Sequence, residues 1–440
     1  MILPKEETKR ILASNIQLAF VPDFLTDHGD AGLYLVGGAV RDILLQRAQT
    51  TKDFDFVVRG VSAEIIEAWF AKRGEINLVG KTFGVFKFMP QGLNPAQSSY
   101  IDIALPRREQ SSAESQGGYK DFDVQTDATL AIEDDLSRRD FTINAMAIDL
   151  RTFDLIDPFG GVNDLEAHLI RTVGEAQIRF DEDLSRMLRA IHFAAQLGFT
   201  IEPATLEAIT RNIARLHDRK DRGDFIVPRE TIGEELAKAF FASPTLAEQW
   251  LKKAGALEIL FGKTIDPDLL QKAPSSNPAL AITLLLSSIP SQNVPPLLSQ
   301  TGLDTLPHNS PLRIEPKQIV WAISSLQQFI NSDVIKKLRA SIFEKIFMAE
   351  HSPLLLNALR LKGNTTGVSI ATQRIQAIRE CWSVREDETI PPLLSGNDVL
   401  NAGVSAGPKV RETLGELRDE QLEGRILTRE QAKNWLKKRA

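Results

Sequence analysis

Lys52-Asp53-Phe54-Asp55-Phe56-Val57-Val58 is the stretch on which the reading of this chain turns. Its polar and apolar side chains alternate, and its Phe and Val content predicts a β-strand. Residues two apart in a strand project to the same face, so Asp53 and Asp55 point together while Phe54 and Phe56 turn toward a core. Taken alone, such a pair also suits a solvated strand end or a turn. Two neighbouring like charges repel, however, and a divalent cation resolves the conflict. Hard oxygen ligands at this spacing suit Mg²⁺, which also bridges triphosphate oxygens.

The residues just upstream strengthen that reading. In Leu35-Val36-Gly37-Gly38-Ala39-Val40-Arg41-Asp42, an apolar run at 33–36 predicts a strand and 39–45 a helix, with Gly37 and Gly38 at the turn. Glycines without Cβ let backbone N–H groups approach an anion, and Arg41 adds a forked donor for phosphate oxygens. The third spaced glycine of the dinucleotide fingerprint is missing. Further strands are expected at 84–88 and 100–104. Asp102, flanked by Ile101 and Ile103, is the first candidate for a third carboxylate, and Glu109 is the second. Two metals held there would activate an attacking hydroxyl and steady a departing pyrophosphate.

A second charged constellation follows. Glu133-Asp134-Asp135-Leu136-Ser137-Arg138-Arg139-Asp140-Phe141-Thr142-Ile143-Asn144 sets many charges against an apolar run. It reads either as a salt-bridged helix start or as Arg139 on a phosphate and Asp140 on a sugar, with Asn144 orienting one of them. Residues 182–197 predict one amphipathic helix. Leu184, Met187, Leu188, Ile191, Ala194 and Ala195 form its apolar stripe, with Asp183, Arg186 and Arg189 on the other side. That polar side is either a solvated face or a reader of bases. Aspartate accepts from an exocyclic amine and arginine donates to the adjacent ring acceptor, which selects cytosine and adenine over uracil and guanine.

Composition bounds the remainder. The 440 residues carry 52 Lys+Arg against 58 Asp+Glu, a formal net charge of −6, which disfavours a protein basic over its whole surface. Any polyanion must then meet a local basic patch. Cys381 is the single cysteine, so no internal disulfide partner exists. The amino terminus lacks the apolar core of a secretory signal, and the longest apolar stretch, around 279–286, is too short for a bilayer. A reduced, cytoplasmic protein without a membrane partner is expected. Strand signals end near residue 170 and helical periodicity takes over, with 263–312, rich in Pro and Ser, read as loops between helices.

Five motifs in order, at 35–42, 53–55, 138–147, 157–161 (Asp-Pro-Phe-Gly-Gly) and 182–190, resemble the class II tRNA nucleotidyltransferases (CCA-adding enzymes) and bacterial poly(A) polymerases. The detailed match covers about residues 30–240, and 394–400 with the helix after Pro408 is similar to the family's carboxy-terminal segment. The resemblance implies an α+β head of the polymerase-beta-like nucleotidyltransferase type, with a mixed sheet and helices, followed by an all-α neck, body and tail. The corresponding ranges are 1–170, 171–250, 251–385 and 386–440. It implies addition of C, C and A to the tRNA 3′ end from CTP and ATP.

Carried onto this chain, Gly38 and Arg41 would hold the nucleotide, and Asp53 and Asp55 would bind Mg²⁺. Arg139 would contact the nucleotide with Asp140 nearby, and Asp183 and Arg186 would select the base, supported by Arg189. The family's next basic position on that helix, usually arginine, is His192 here. His217-Asp218 lacks the surrounding set of a phosphohydrolase domain, so no phosphatase activity is expected. Residues 108–119 resemble the family's mobile loop, which favours full CCA addition; the basic run 433–439 suits either tRNA backbone contact or a frayed, solvated helix end. Addition of the two cytidines alone or of the terminal A alone, poly(A) synthesis, and a catalytically silent RNA-binding protein are the alternatives.

Overall fold

The computed structural model describes residues 4–47, 53–79, 84–94, 98–111, 122–220, 223–263, 265, 267–307, 310 and 312–439. The chain divides into two compact units, Met1–Leu260 and Phe261–Ala440.

The first unit is built on a mixed sheet. Its strands are β1 (Gly32–Val36), β2 (Asp55–Arg59), β3 (Gly74–Val79), β4 (Val85–Pro90), β5 (Ile101–Ala104), β8 (Ala147–Asp149) and β9 (Leu155–Ile156), ordered β3-β4-β5-β2-β1-β8-β9. Every neighbouring pair is antiparallel except β2 with β5. A separate hairpin joins β6 (Arg107–Ser111) to β7 (Phe122–Thr126). Leu33, Leu35, Phe56, Val58, Phe86, Phe88, Ile101 and Ile103 are buried, and Phe20, Phe24 and Phe70 join them in edge and stacked ring contacts. Such burial stabilises by roughly 1.5–3 kcal/mol per large side chain. Alternation along β2 and β5 therefore leaves their aspartates on the other face.

Helices follow the sheet. Ala176–Glu182 and Arg186–Leu197 are two helices, not the single one expected from 182 onward. Asp183 lies between them in extended conformation (φ −152°, ψ 103°), where its Oδ1 accepts the Ser185 N–H at 2.8 Å. This aspartate-capped turn competes with helix continuation and wins. Arg229–Ala242 packs against Arg186–Leu197. The apolar stripe expected on 186–197 is buried, but so are Asp183, Arg186 and His192, which removes the solvated-face reading.

The second unit is helical among its described residues. The stretch at 263–312 is more ordered than its composition suggests. Pro278 and Pro295 start the helices Pro278–Leu285 and Val294–Thr301 instead of interrupting them. Proline at the first helical positions loses only an N–H that has no partner there. Near the end, Leu394, Val399, Val404, Leu417, Ile426, Ala432 and Leu436 form one apolar cluster. Thr428 caps Arg429–Lys437 with Gln431 in a reciprocal box.

Candidate active site

Strand register assembles the carboxylates. The parallel pairing of β2 and β5 sets Asp55 opposite Asp102. Asp53 stands two residues ahead of Asp55 and is exposed, while Phe54 and Phe56 are buried, so the two-residue alternation holds. The Asp102 N–H donates to the Phe54 carbonyl at 3.2 Å, extending the ladder between the two aspartates. Glu109 instead pairs with Val124 in the β6–β7 hairpin, and its side chain is not among those described. Most of the expected mobile loop, 112–121, also lies outside the described residues.

This edge carries more negative charge than it balances. Burial pushes the Asp55 carboxyl up to about 6; Asp102 and Asp53 add to the rise, against the pull of Arg139 and Lys87. Asp102 accepts from Lys87 Nζ at 2.8 Å across the β4–β5 pair. Among the described residues, no group of three or more His, Cys, Asp or Glu gathers closely enough to hold a metal ion. The donor set nevertheless fits a cation whose remaining ligands are oxygens of an anionic substrate, since hard oxygen donors and unbalanced charge are what a divalent ion needs. Arg139 Nε, buried and without a hydrogen-bond partner among the described residues, suits that anion.

Gly37 makes the close approach possible. Its φ is +72°, and a Cβ there would lie 2.9 Å from Arg139 Nη1 and 3.5 Å from Asp55 Oδ2. Its N–H donates to the Met146 carbonyl at 3.4 Å. Gly38 opens the helix Gly38–Leu44, which brings Arg41 onto Asn144 Oδ1 at 2.9 Å and Asp42 at 2.9 Å. The Asp-Pro-Phe-Gly-Gly motif supports this from behind: Asp157 accepts the N–H groups of Gly161 and Val162, and a Cβ on Gly161 would strike the Thr142 carbonyl at 2.4 Å.

Behind the sheet edge, Arg138 and Arg139 follow the helix Ile132–Ser137 and do not start one. Both bond Asp135, which is wholly buried, at 2.7 and 3.1 Å. Burial would raise Asp135, but the two guanidinium charges hold it below its usual value. Asp140 is similarly committed. One oxygen accepts from the Phe141 N–H at 2.8 Å and from Asn144 at 3.2 Å; the other accepts twice from Arg189, at 2.9 and 2.7 Å. The carboxylate expected to meet a sugar thus spends its acceptors on protein donors.

Around the helix junction, Arg186 Nη1 donates to Glu182 at 2.7 Å and its Nη2 to the Arg138 carbonyl at 3.3 Å. Burial raises the Asp183 carboxyl above its usual range, against the Ser185 hydrogen bond and the Arg186 charge. Ser185 Oγ is buried with no hydrogen-bond partner among the described residues. His192, in the place of an expected arginine, bonds Glu235 at 2.9 Å. The sequence reading missed three residues here. Lys87 could have been found from its alternation with Phe86 and Phe88, and Asp135 from its i,i+4 spacing to Arg139. Glu235 has no local signal.

Residues 33–171 match a family model described as the poly A polymerase head domain. A multifunctional CCA protein of Stenotrophomonas maltophilia is 42% identical over 229 residues, 51% of this chain and 50% of that protein. The chain thus aligns with about half the length of the multifunctional CCA proteins that it matches. A CCA-adding enzyme of Lactobacillus johnsonii is 28% identical over 412 residues, 91% of each chain. Among solved structures, the CCA-adding enzyme of Bacillus stearothermophilus in complex with CTP superposes with a TM-score of 0.70 at 23% identity, covering 100% of this chain and 98% of that one. The Thermotoga maritima enzyme complexed with tRNA gives 0.63 at 21% identity, covering 97% of both. These two share the fold: a mixed-sheet head followed by helices.

Proposed function

We propose that this chain is a class II tRNA nucleotidyltransferase of the family shared with bacterial poly(A) polymerases, and that it adds C, C and A to the 3′ end of tRNA. CTP and ATP are the donors and pyrophosphate is released. The observation that carries the reading is the Asp55–Asp102 register, set beside Gly37 and within reach of Arg139. Similarity to CCA-adding enzymes along 91% of the chain supports the substrate class.

In this reading the divalent metal used across the family is Mg²⁺, held by Asp53 and Asp55 with Asp102 as the third carboxylate. When bound, it makes the attacking hydroxyl more acidic and neutralises charge on the leaving pyrophosphate. Gly37 and Gly38 leave room for the triphosphate, and Arg139 and Arg41 donate to its oxygens. Arg139 Nε has its hydrogen-bonding capacity still open for this. Asn144 and Asp140 orient Arg41 and Arg189. Asp183 and Arg186 read the edge of cytosine or adenine, with Arg189 beside them. Because burial suppresses competing water, each hydrogen bond to the base discriminates more strongly than it would in solvent.

Residues 1–170 form the catalytic head, 171–250 the base-selecting neck, 251–385 the body and 386–440 the tail that meets tRNA. The exposed lysines of the last helix favour phosphate contact, which makes affinity fall with salt. No described helix is long and apolar enough to cross a membrane. Because the proposed acceptor is tRNA, we assign the protein to the cytoplasm.

The test is product sequencing after reaction with tRNA stripped of its end and all four nucleoside triphosphates. Termination after C, C and A is the expected result. Only the two cytidines, only a terminal A, or a long A tract would each replace the assignment by the corresponding partial or polymerising activity. No incorporation at all would overturn it.

A further inference from the structure

Glu235 is a buried carboxylate, 4% exposed, on a helix otherwise packed through Ile232, Leu236, Ala239 and Phe240. A charge in that setting is destabilising unless it is paired and hydrogen-bonded. Its Oε2 lies 2.9 Å from His192 Nδ1, and its Oε1 lies 3.7 Å from Arg189 Nη1 and 3.3 Å from Lys238 Nζ. On its other side Arg189 donates twice to Asp140, Asp140 accepts from Asn144, and Asn144 accepts from Arg41. A continuous polar chain therefore runs from Glu235 to Arg41, through residues 41, 140, 144, 189 and 235. The Phe193 ring touches both of its arginines, with the guanidinium carbons of Arg41 and Arg189 at 5.3 and 5.4 Å from the ring centre.

The geometry clamps Arg189 from two ends. Asp140 takes one edge of the planar guanidinium and Glu235 faces another, so rotation of the fork breaks at least one contact. Burial would lower the Arg189 cation, but the charges of Asp140 and Glu235 outweigh it and hold it above its usual value. The Arg189 side chain is still 36% exposed, so the clamp does not enclose it. A network that served stability alone would have no need to leave its central cation accessible.

Resting on the base-selecting role proposed for Asp183, Arg186 and Arg189, we infer that Glu235 is a positioning residue for nucleotide choice. It holds Arg189 directly and, through Asp140 and Asn144, Arg41, with His192 as its second anchor.

The test uses full-length protein carrying Glu235→Gln, which preserves shape and an acceptor for His192 but removes the charge that holds Arg189. Glu235→Asp keeps the charge one methylene short, and Lys238→Met removes a partner on the outer side of Glu235. Steady-state incorporation of CTP, ATP and UTP is measured on end-stripped tRNA, together with thermal unfolding.

The expected result for Glu235→Gln is a KM for CTP and ATP raised about tenfold, less than the roughly hundredfold that a misplaced group can cost. Discrimination against UTP narrows, while the KM for tRNA and the behaviour of Lys238→Met stay as in the wild type. Glu235→Asp falls between, and gives the same readout if the Gln variant does not fold. A folded Gln variant with wild-type nucleotide KM and selectivity, beside a selective wild type, overturns the positioning role alone. Equal losses of tRNA affinity and thermal stability with selectivity intact overturn it as well. A wild type that incorporates no nucleotide overturns the proposed function, and this inference with it.

Discussion

The carboxylate edge of the sheet and the arginine network behind it use the same residue types in opposite states of compensation. At Asp135, Asp140 and Glu235, burial would raise the carboxyls. Arg138 and Arg139 at Asp135, Arg189 with Asn144 at Asp140, and His192 with Arg189 and Lys238 at Glu235, hold them below their usual range. At Asp55 burial prevails, and two neighbouring carboxylates add to it. In one region these three carboxylates are electrostatically finished by the protein, with Asp183 the exception. The other is left short of positive charge, the condition expected where a cation arrives with the substrate. On the function proposed above, the contrast separates residues that build the pocket from those that would meet the reacting groups.

The largest effect that would break this contrast comes from Asp55→Asn. It should lower nucleotide incorporation roughly a thousandfold or more, as removal of a metal-directed catalytic group does. Thermal stability should not fall, because the lost charge was poorly compensated. Single-turnover incorporation and a thermal melt measure both; a variant that loses stability along with activity contradicts the division.

Arg189→Ala makes the opposite cut. It leaves Asp140 buried beside fewer donors and, because Arg189 is itself partly exposed, should cost about 1–3 kcal/mol in denaturant unfolding. The pH profile carries the sign. Folding lowers the Asp140 pKa, so its contribution is present above the unfolded value and is lost as pH falls through the folded one. In the alanine variant that acid-dependent loss should shrink. Unchanged unfolding free energy would show that Asp140 does not rely on Arg189.

A change of comparable size is expected at Arg186→Ala. Discrimination of C and A against U should weaken by about 1–3 kcal/mol, the usual worth of a paired base contact. Divalent binding should stay intact, and competition assays with mixed triphosphates read the change. The smallest effect is at Lys87→Met. Its pair with Asp102 is 43% and 36% exposed, so stability should change by about 0–1 kcal/mol. With Asp102 released, Mg²⁺ affinity should rise a few-fold; a fall would mean that Lys87 supports the metal-binding geometry.

Much of the carboxylate edge was legible in the sequence, because strand periodicity is local. Phe54 and Phe56 inward and Asp53 and Asp55 outward follow from a period of two, and the Ile–Asp–Ile pattern marks Asp102 in the same way. The choice of Asp102 as Asp55's neighbour needed the β2–β5 register, a long-range fact. Strand β3 was missed because Gly74–Val79 lies at the sheet edge and Glu75, Leu78 and Val79 are exposed, so no burial pattern distinguishes it.

The network behind the edge was only half legible. Arg139, Asp140, Asn144, Arg186 and Arg189 stood out as charged or polar side chains near apolar runs, but their partners did not. Asp183 was placed on a helix that in fact begins at Arg186, because helical periodicity does not register an aspartate capping a turn. Glu235 is 43 residues from His192 and looks like any helix-surface glutamate until the tertiary fold buries it.

The central claim is that Asp55, short of compensating charge, takes up a divalent ion with the nucleotide. Folding raises its carboxyl from 3.8 to about 6, so ionising it in the absence of metal destabilises the fold as pH climbs through that interval. Calorimetric titration of Mg²⁺ with a non-hydrolysable CTP analogue, in buffers of different ionisation heat, tests this on the wild type and on Asp55→Asn. Binding should weaken as pH falls below about 6 and release protons there, and both features should vanish in the asparagine variant. Affinity independent of pH with no proton release, or an asparagine variant that binds like the wild type, would contradict the account.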